Sequence, residues 1–460
     1  RQRQMCIRDR EEEDVPKSDN NVNPRAVVLD ILTDINENKK FSHNVINKAF
    51  NKYKNINKQD RAFVSRLVHG TLERQITIDH IISLYSKVKI SKIKNVILQI
   101  LRLSVYQIMY MDKIPDSAAC NEAVKLVEKR GIFGLKSYTN GLLRTIVKNK
   151  ENIGYPNMSV EYSMPEWIVD ILCKSYGKSQ AEEILKSFLE DKKLCVRINL
   201  SKTDPEIIIK ELELKGIVAE KSPYFNDIIY LSDFECVNDV EEIKKGEICI
   251  QDFSSAMVAR LAGIKKDDIV IDVCAAPGGK SVHAADILRG SGKVLAFDIS
   301  EAKLKLIEEN KKRCNFENID IGMADATVFK TELADSADIV IADLPCSGLG
   351  IIGKKPDIKY NTSYKSIIAL SKIQRQILDN VSRYVKKGGR LVYSTCTVTD
   401  IENEQNRDYF LEKHKDFKPV DISNVLSFID IDTKDKGYIQ ILPSMFGSDG
   451  FFISVYERDR

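Results

Sequence analysis

Two cysteines stand just beyond two predicted strands, fifty residues apart, in the segments Asp343-Leu-Pro-Cys346 and Ser394-Thr-Cys396. A cysteine in such a position can act as a nucleophile, since the thiolate is the attacking form. C5 of a cytosine ring becomes nucleophilic only after a thiolate adds to C6, and a second group must later remove the C5 proton. Two such cysteines, combined with a methyl-donor site, would serve both steps of this chemistry.

A turn of small residues follows the predicted strand 269–273 and leads into a helix. Small residues let the backbone approach a ligand closely, and the helix N-terminus offers free N–H groups. A phosphate-binding P-loop needs glycine where Cys274 stands, and a G-x-G-x-x-G dinucleotide motif is absent. The remaining interpretation is an S-adenosyl-L-methionine turn. Its predicted cofactor-binding residues are Cys274, Ala275, Ala276, Pro277, Gly278, Gly279 and Lys280.

Three acids follow three successive predicted strands. Asp298 ends the second strand, about twenty residues after the turn, where a carboxylate binds ribose hydroxyls in doubly wound nucleotide sites. Asp325 follows the third strand and is predicted near the adenine, and Asp343 ends the fourth. One such acid alone would more often cap a helix. Together they predict an adenosylmethionine site at the carboxyl edge of a parallel sheet.

Composition excludes several classes of protein. The chain has 460 residues, enough for two or three domains, and its ten cysteines show no C-x-x-C spacing. With no secretory segment recognised, we expect reduced thiols in the cytoplasm rather than disulfides. No apolar run is long enough to cross a membrane, and the five histidines are dispersed, so we expect neither a membrane partner nor a metal site.

Charge is unevenly distributed along the chain. Residues 25–150 hold 23 Lys and Arg against 10 Asp and Glu, whereas the whole chain carries a net charge of only +3. A basic module of this kind is typical of a protein that binds a polyanion such as RNA. A lysine-rich, solvated surface is the alternative. Residues 1–21 lack periodicity and are interpreted as a disordered or non-native tail.

The predicted elements define three regions and an α/β fold class. Residues 22–150 show helical patterns only, 151–250 form a linker and a small α+β region of RNA-recognition type, and 251–460 alternate strands with helices. This alternation predicts a mostly parallel, doubly wound, Rossmann-like sheet with an antiparallel edge hairpin. Its strands are predicted at 269–273, 293–298, 318–322, 338–342, 389–394, 438–442 and 451–456. Its helices are predicted at 254–262, 280–289, 300–313, 365–385 and 401–413.

Four segments of the last region resemble the RNA cytosine-C5 methyltransferases of the NOL/NOP/Sun family: 272–281, 343–357, 388–397 and Ile401-Glu-Asn-Glu-Gln405. The basic helical front resembles a NusB-type RNA-binding domain in its layout, which is the arrangement of the Sun/Fmu type. The resemblance implies a monomeric enzyme that uses S-adenosyl-L-methionine. It also implies that this enzyme methylates C5 of one cytosine of 16S ribosomal RNA, cytosine 967 in the family, before the small subunit is fully assembled.

The resemblance also implies catalytic roles. Cys396 would add to cytosine C6, and Cys346 would release the product by acting as, or positioning, the base for the C5 proton. The residues themselves leave this order open, since DNA cytosine methyltransferases attack with a Pro-Cys cysteine. Asp343 would hydrogen-bond the base near N3. Lys280 would reach the same pocket, with a surface lysine at a helix start as the alternative.

Three other interpretations compete with this one. The same chemistry on transfer RNA is one, and a non-catalytic RNA-binding assembly factor is another. A nicotinamide-dependent oxidoreductase lacks its sequence motif here and would leave both cysteines unexplained. Lys354 and Lys355, which follow Cys346, either hold the RNA backbone or form a solvated pair.

Overall fold

The computed structural model of the protein describes residues 22–53, 56–234, 237–429, 433 and 436–460. The predicted tail, residues 1–21, lies outside this range. The chain divides into two compact units, and the boundary between them falls between Gly154 and Tyr155. Within the described residues, no helix combines the length and the apolar character needed to cross a membrane.

The first unit is helical throughout its described residues, as predicted. Asn23 starts the first helix by accepting a hydrogen bond from the Arg25 N–H at 2.9 Å, and Pro24 occupies the first turn. The central helix α5 is the core helix that its Leu and Ile content predicts. The helices are α1 (Pro24–Asn38), α2 (Ser42–Lys52), α3 (Lys58–Glu73), α4 (Gln75–Tyr85), α5 (Asn95–Tyr110), α6 (Asp116–Lys129) and α7 (Lys136–Asn149).

The second unit begins with a small α+β region. Its four-stranded antiparallel sheet has the order β2-β3-β1-β4, which with two crossing helices gives the β-α-β-β-α-β arrangement of ferredoxin-like folds. Strand β2 was not predicted, because its exposed residues carry no alternating apolar pattern. The elements are α8 (Met158–Glu161), α9 (Glu166–Ser187), β1 (Leu194–Ile198), α10 (Pro205–Leu214), β2 (Val218–Lys221), β3 (Ile228–Ser232), α11 (Glu241–Lys244) and β4 (Ile248–Ile250).

The rest of the second unit is a doubly wound α/β domain. Its strands are β5 (Ile269–Asp272), β6 (Lys293–Asp298), β7 (Ile319–Met323), β8 (Ala337–Asp343), β9 (Val385–Thr395), β10 (Phe417–Pro419), β11 (Tyr438–Ile441) and β12 (Phe451–Arg458). Its helices are α12 (Phe253–Ala262), α13 (Gly279–Leu288), α14 (Glu301–Cys314), α15 (Ile358–Asn361), α16 (Tyr364–Val381) and α17 (Glu404–Lys413).

The sheet has the order β10-β12-β9-β8-β5-β6-β7, and strands β5 to β9 run parallel. Strand β12 runs antiparallel to β9, and both β11 and β10 pair with its outer side. The predicted fold class and the edge hairpin are therefore confirmed. The three-residue strand β10 was missed, and the predicted helix 365–385 is too long, because β9 already begins at Val385.

The sheet order brings the predicted chemistry to one edge. Strand β8 lies between β5 and β9, so the carboxyl ends of these three strands are neighbours. Asp343 at the end of β8 pairs in register with Ser394 of β9. The strands themselves are held by buried aliphatic side chains, which fix the positions of the turns that follow them.

Candidate active site

The turn between β5 and α13 forms one wall of a cleft of about 390 Å³. Gly278 has a φ of 106°, a conformation that strongly favours glycine, and it directly precedes the helix. A Cβ on Gly279 would meet no atom within 4 Å, so this wall leaves room for a ligand against the backbone. The turn residues that line the cleft are Cys274, Ala275, Ala276, Pro277, Gly279 and Lys280.

Lys280 and Asp343 form an ion pair inside this cleft. The Lys280 Nζ lies 2.7 Å from the Asp343 Oδ2 and 3.1 Å from the Ser255 Oγ. Only 12% of the Lys280 side chain is exposed, so it is not the surface lysine of the alternative interpretation. Burial opposes its charge, but the attraction of Asp343 outweighs burial and raises the pKa of Lys280. The other oxygen of Asp343 accepts a hydrogen bond from the Ser394 hydroxyl at 2.8 Å.

The other two predicted cofactor acids lie outside the residues that line the cleft. Asp298 is buried, and its carboxylate accepts hydrogen bonds from the N–H groups of Ala276 and Ile299 at 3.0 and 2.7 Å. It therefore holds the turn against the end of β6. Asp325 is exposed and accepts hydrogen bonds from the N–H and hydroxyl of Thr327, which lower its pKa. Their contacts with a ligand stay predictions.

The two cysteines meet at the floor of the cleft. The Sγ atoms of Cys346 and Cys396 are 3.2 Å apart, and both are free thiols. Cys396 is one of the residues that line the cleft and Cys346 is not among them, and both side chains are half-buried. The hydrogen bond to Cys396, reinforced by burial, raises the pKa of Cys346 well above its ordinary value. This arrangement keeps a protonated thiol directly beside the sulfur that faces the cleft.

A glycine makes the meeting of the two cysteine loops possible. The Gly350 N–H donates a hydrogen bond to the Cys396 carbonyl at 3.0 Å, and the Gly450 N–H donates to the Gly350 carbonyl at 2.8 Å. A Cβ on Gly350 would lie 2.0 Å from the Gly450 carbonyl oxygen. Only glycine allows this close approach of three backbone segments.

An ion-pair cluster at the opposite wall was missed from the sequence. The Lys354 Nζ lies 2.6 Å from the Asp252 Oδ2 and 2.7 Å from the Asp449 Oδ2. Burial alone would raise the pKa of Asp252, but Lys354 and hydroxyl donors lower it to about 2. Lys354 and Lys355 are both exposed and both line the cleft, but Lys354 is held by two carboxylates and is thus not part of a freely solvated pair. No local signal identifies Asp449, which is 95 residues from Lys354.

Asp272, at the end of β5, is completely buried and also borders the cleft. Its Oδ2 accepts a hydrogen bond from the Ser281 hydroxyl at 2.7 Å, whereas its buried Oδ1 has no hydrogen-bond partner. Burial raises its pKa to about 7. An acceptor without a partner beside a wall of small residues fits a ligand that carries hydrogen-bond donors.

The substitution Asp272→Asn should stabilise the protein above neutral pH but not near pH 4. The folded protein binds the Asp272 proton more tightly than the unfolded chain does, because burial raises the folded-state pKa to about 7. The contribution of this group to the free energy of unfolding is therefore largest below about pH 4 and is lost as the pH rises to about 7. Asparagine does not titrate. At about 1.4 kcal/mol per pKa unit, the gain should approach roughly 4 kcal/mol above pH 7.

Urea unfolding at pH 4 and pH 8 measures this difference. Asp320→Asn is the matched control, since the Asp320 side chain is 55% exposed and pairs only with a surface lysine. A gain from Asp272→Asn that is equal at both pH values would contradict the assigned effect of burial.

Three known families match successive parts of the chain. The family described as 16S rRNA methyltransferase RsmB/F matches residues 259–457. The NusB family matches residues 22–148, and the ferredoxin-like domain of RsmF/B-like methyltransferases matches 164–238. The predicted NusB-like front and the small α+β region are thus confirmed, and no cluster of metal-ligating side chains was found among the described residues.

Similar proteins extend over nearly the whole chain. A probable ribosomal RNA small subunit methyltransferase B of Bacillus subtilis is 37% identical over 443 residues, which are 93% of this chain and 97% of that protein. A protein of Synechocystis with the same description is 30% identical and covers 95% of this chain and 100% of its own length.

Two solved structures share the fold. The crystal structure of PH0851 superposes with a TM-score of 0.78 at 25% identity and covers 95% of this chain and 99% of its own. NSun6 from Pyrococcus horikoshii with SFG superposes with a TM-score of 0.57 at 24% identity, over 64% of this chain and 98% of its own. Taken with the fold and the cleft, these similarities show that the chain belongs to the RsmB/F family of 16S rRNA methyltransferases.

Proposed function

We propose that this protein methylates C5 of a single cytosine in 16S ribosomal RNA, with S-adenosyl-L-methionine as methyl donor and a covalent bond between cysteine and C6 as intermediate. One observation carries the proposal: two free thiols lie 3.2 Å apart beside the Lys280–Asp343 pair at the edge of a small-residue cleft. The proposed chemistry needs one sulfur that attacks C6 and one group that removes the C5 proton, and the two thiols are suited to these two roles.

The cleft suits the proposed cofactor. The open space at Gly279, the free N–H groups at the start of α13 and the unpaired oxygen of Asp272 offer backbone contact and polar partners. The remaining turn residues, Cys274 to Pro277, would form the wall against which the cofactor lies. When bound, adenosylmethionine supplies an electrophilic methyl group. Asp298 holds the turn and would support the ribose end, and Asp325 would lie toward the adenine.

The lining of the cleft, which includes Cys396 and not Cys346, supports the proposed order of roles. Cys396 borders the cleft and would form the bond to C6, with the positive charge of Lys280 nearby. Cys346 stays protonated next to it, because the hydrogen bond to Cys396 and burial raise its pKa. Once Cys396 is bonded to carbon, its negative charge is gone, so the pKa of Cys346 falls. After its own proton passes to water, the Cys346 thiolate accepts the C5 proton, the electron pair of the C5–H bond re-forms the C5–C6 double bond, and Cys396 leaves C6 as a thiolate.

Asp343 and Lys280 would bind the cytosine edge. With its other oxygen held by Ser394, the Asp343 carboxyl group has a fixed orientation toward the cleft. It would hydrogen-bond the base near N3, while Lys280 supplies a positive charge against the negative charge that builds on the ring. The base must leave its stack to bring both of its faces within reach.

The substrate is proposed from the family and from the charge distribution. The first unit carries the excess of Lys and Arg, and the NusB match covers it. The proposed substrate is small-subunit RNA before full assembly, at the cytosine numbered 967 in the family, and the proposed working form is a monomer.

The direct test is methyl transfer from labelled adenosylmethionine to small-subunit RNA or to transfer RNA, followed by mapping of 5-methylcytosine. We expect one modified cytosine in the small-subunit RNA and none in transfer RNA. Modification of transfer RNA alone would favour the alternative substrate. No transfer to either RNA would support the non-catalytic assembly factor and would refute the enzyme proposal.

A further inference from the structure

The carboxyl group of Glu402 contacts both cysteine loops, which are the segments after β8 and β9 that carry Cys346 and Cys396. Glu402 is completely buried, and its two oxygens accept four hydrogen bonds. Its Oε1 accepts from the Ser347 N–H at 2.9 Å and from the Gln374 side-chain amide at 3.1 Å. Its Oε2 accepts from the hydroxyls of Ser347 at 2.6 Å and Thr399 at 2.9 Å. A buried carboxyl with four donors is rigidly held.

These hydrogen bonds connect the residues that directly follow the two cysteines. Ser347 follows Cys346, and its hydroxyl lies 2.7 Å from that of Thr397, which follows Cys396. Gln374 also donates a hydrogen bond to the Pro345 carbonyl at 2.8 Å, on the other side of Cys346. The backbone on both sides of Cys346 is therefore tied to the Glu402 network, and the Cys396 loop is tied to it through the Ser347–Thr397 hydroxyl pair and through the Thr399 hydroxyl.

The position of Glu402 is itself fixed by the surrounding sheet. The Tyr393 hydroxyl of β9 donates to the Glu402 carbonyl, and the Asn406 side-chain amide donates to the same carbonyl at 3.1 Å. The next residue, Asn403, accepts a hydrogen bond from the Thr395 hydroxyl at 2.6 Å. The carboxyl group is thus anchored to the strand that carries the Cys396 loop.

We propose that Glu402 is a positioning residue that sets the separation of the Cys346 and Cys396 thiols and thereby controls release of the methylated base. The inference rests on the proposed function, because it assigns Glu402 to the release step of that reaction. Glu402 touches neither sulfur through its own hydrogen bonds. It acts through Ser347 and Thr397.

The variant Glu402→Gln tests the proposal in the full-length protein. Glutamine keeps the size of the side chain and one acceptor oxygen, but it removes the charge and the acceptor that two hydroxyls share. We expect the covalent protein–RNA complex to accumulate at least about tenfold over wild type, and turnover to fall about 10- to 100-fold. The KM for adenosylmethionine should change less than about twofold, since the cofactor wall is untouched.

Glu404→Gln is the matched control. Glu404 lies two residues further along the same motif, and burial raises its pKa. Within the described part of the chain, its carboxyl group makes no hydrogen bond to either cysteine loop. We expect this variant to release product like wild type. A loss of both the adduct and turnover in Glu402→Gln would show that Glu402 supports attack instead, and would overturn the proposal.

A second measurement does not depend on methylation. An aromatic disulfide, 4,4′-dithiodipyridine, oxidises two close thiols: one thiolate displaces a thiopyridone to form a mixed disulfide, the second thiolate displaces the other thiopyridone from it, and the two thiol protons end on the two thiopyridones. Peptide mapping then gives the rate at which Cys346 joins Cys396. We expect this rate to fall at least about fivefold in Glu402→Gln, because the thiols lose their fixed separation.

The protein contains an internal control for this measurement. The Sγ atoms of Cys249 and Cys314 are 3.4 Å apart, and Glu402 is not among their hydrogen-bond partners. Their disulfide should form at the same rate in both proteins. An unchanged rate for Cys346–Cys396 would overturn the proposal even if turnover falls. If wild type methylates no RNA, the proposed function fails, while the disulfide rates still decide whether Glu402 positions the thiols.

Discussion

Replacing Cys396 by alanine is expected to abolish methyl transfer to small-subunit RNA, by at least about 10⁴-fold, and to leave no covalent protein–RNA complex. Cys396 borders the cleft, and its sulfur would form the bond that activates C5. Without that bond, C5 of cytosine stays a poor nucleophile. Transfer of label and a denaturing gel of the protein–RNA mixture measure the two outcomes.

Replacing Cys346 by alanine should have a different effect. The attacking sulfur remains, so the adduct should form, but the group that removes the C5 proton is lost and the adduct should accumulate. The double variant should form none. Cys173→Ala serves as the control, since Cys173 is a half-buried free cysteine on α9. If Cys346→Ala forms no adduct and Cys396→Ala accumulates it, the two roles are interchanged.

Asp343→Asn should lower methylation by about 10²- to 10³-fold and destabilise the protein by about 3 kcal/mol at pH 7. The substitution leaves the ammonium group of Lys280, only 12% exposed, without its nearest counter-charge. Burial then dominates and lowers the pKa of Lys280, so the lost stability should be largest at pH values where the unfolded chain keeps that lysine charged. Urea unfolding at pH 7 measures the change.

A double-mutant cycle separates the interaction between Lys280 and Asp343 from the interactions of each residue with its surroundings. Combining Asp343→Asn with Lys280→Met removes both charges, and the double variant should be more stable than the sum of the two single losses predicts, by about 1–3 kcal/mol. Asp320→Asn, which breaks the exposed pair with Lys293, should cost less than about 1 kcal/mol. Additive losses would show that Lys280 and Asp343 do not stabilise each other.

The strands of the large sheet and the helices between them could be predicted because the sequence patterns that indicate them are local. Buried strands such as β5 and β8 are continuous apolar runs that end in small or acidic residues, and the helices between them begin and end at caps and glycines. The strands β2 and β10 escaped prediction, because short edge strands lack an apolar pattern. Gly177, with a φ of 76°, interrupts the helical geometry within α9.

The partners of the site residues could not be predicted in the same way. Lys280 is separated by 63 residues from Asp343, and Lys354 by 102 residues from Asp252. Either lysine has the sequence context of a surface residue. Glu402 belongs to a segment that resembles the family, and nothing in its sequence neighbours indicates that four donors converge on it.

Local periodicity and residue type are enough to predict the order of elements, the small-residue turn and the two cysteines that follow two strands. The tertiary structure decided that the two sulfurs lie 3.2 Å apart, that Lys280 is buried against Asp343, and that one carboxyl group ties both cysteine loops. The physical reason is that burial and hydrogen bonding depend on which distant segments the sheet order brings together. Reactivity of a thiol, unlike its position in the sequence, is set by those neighbours.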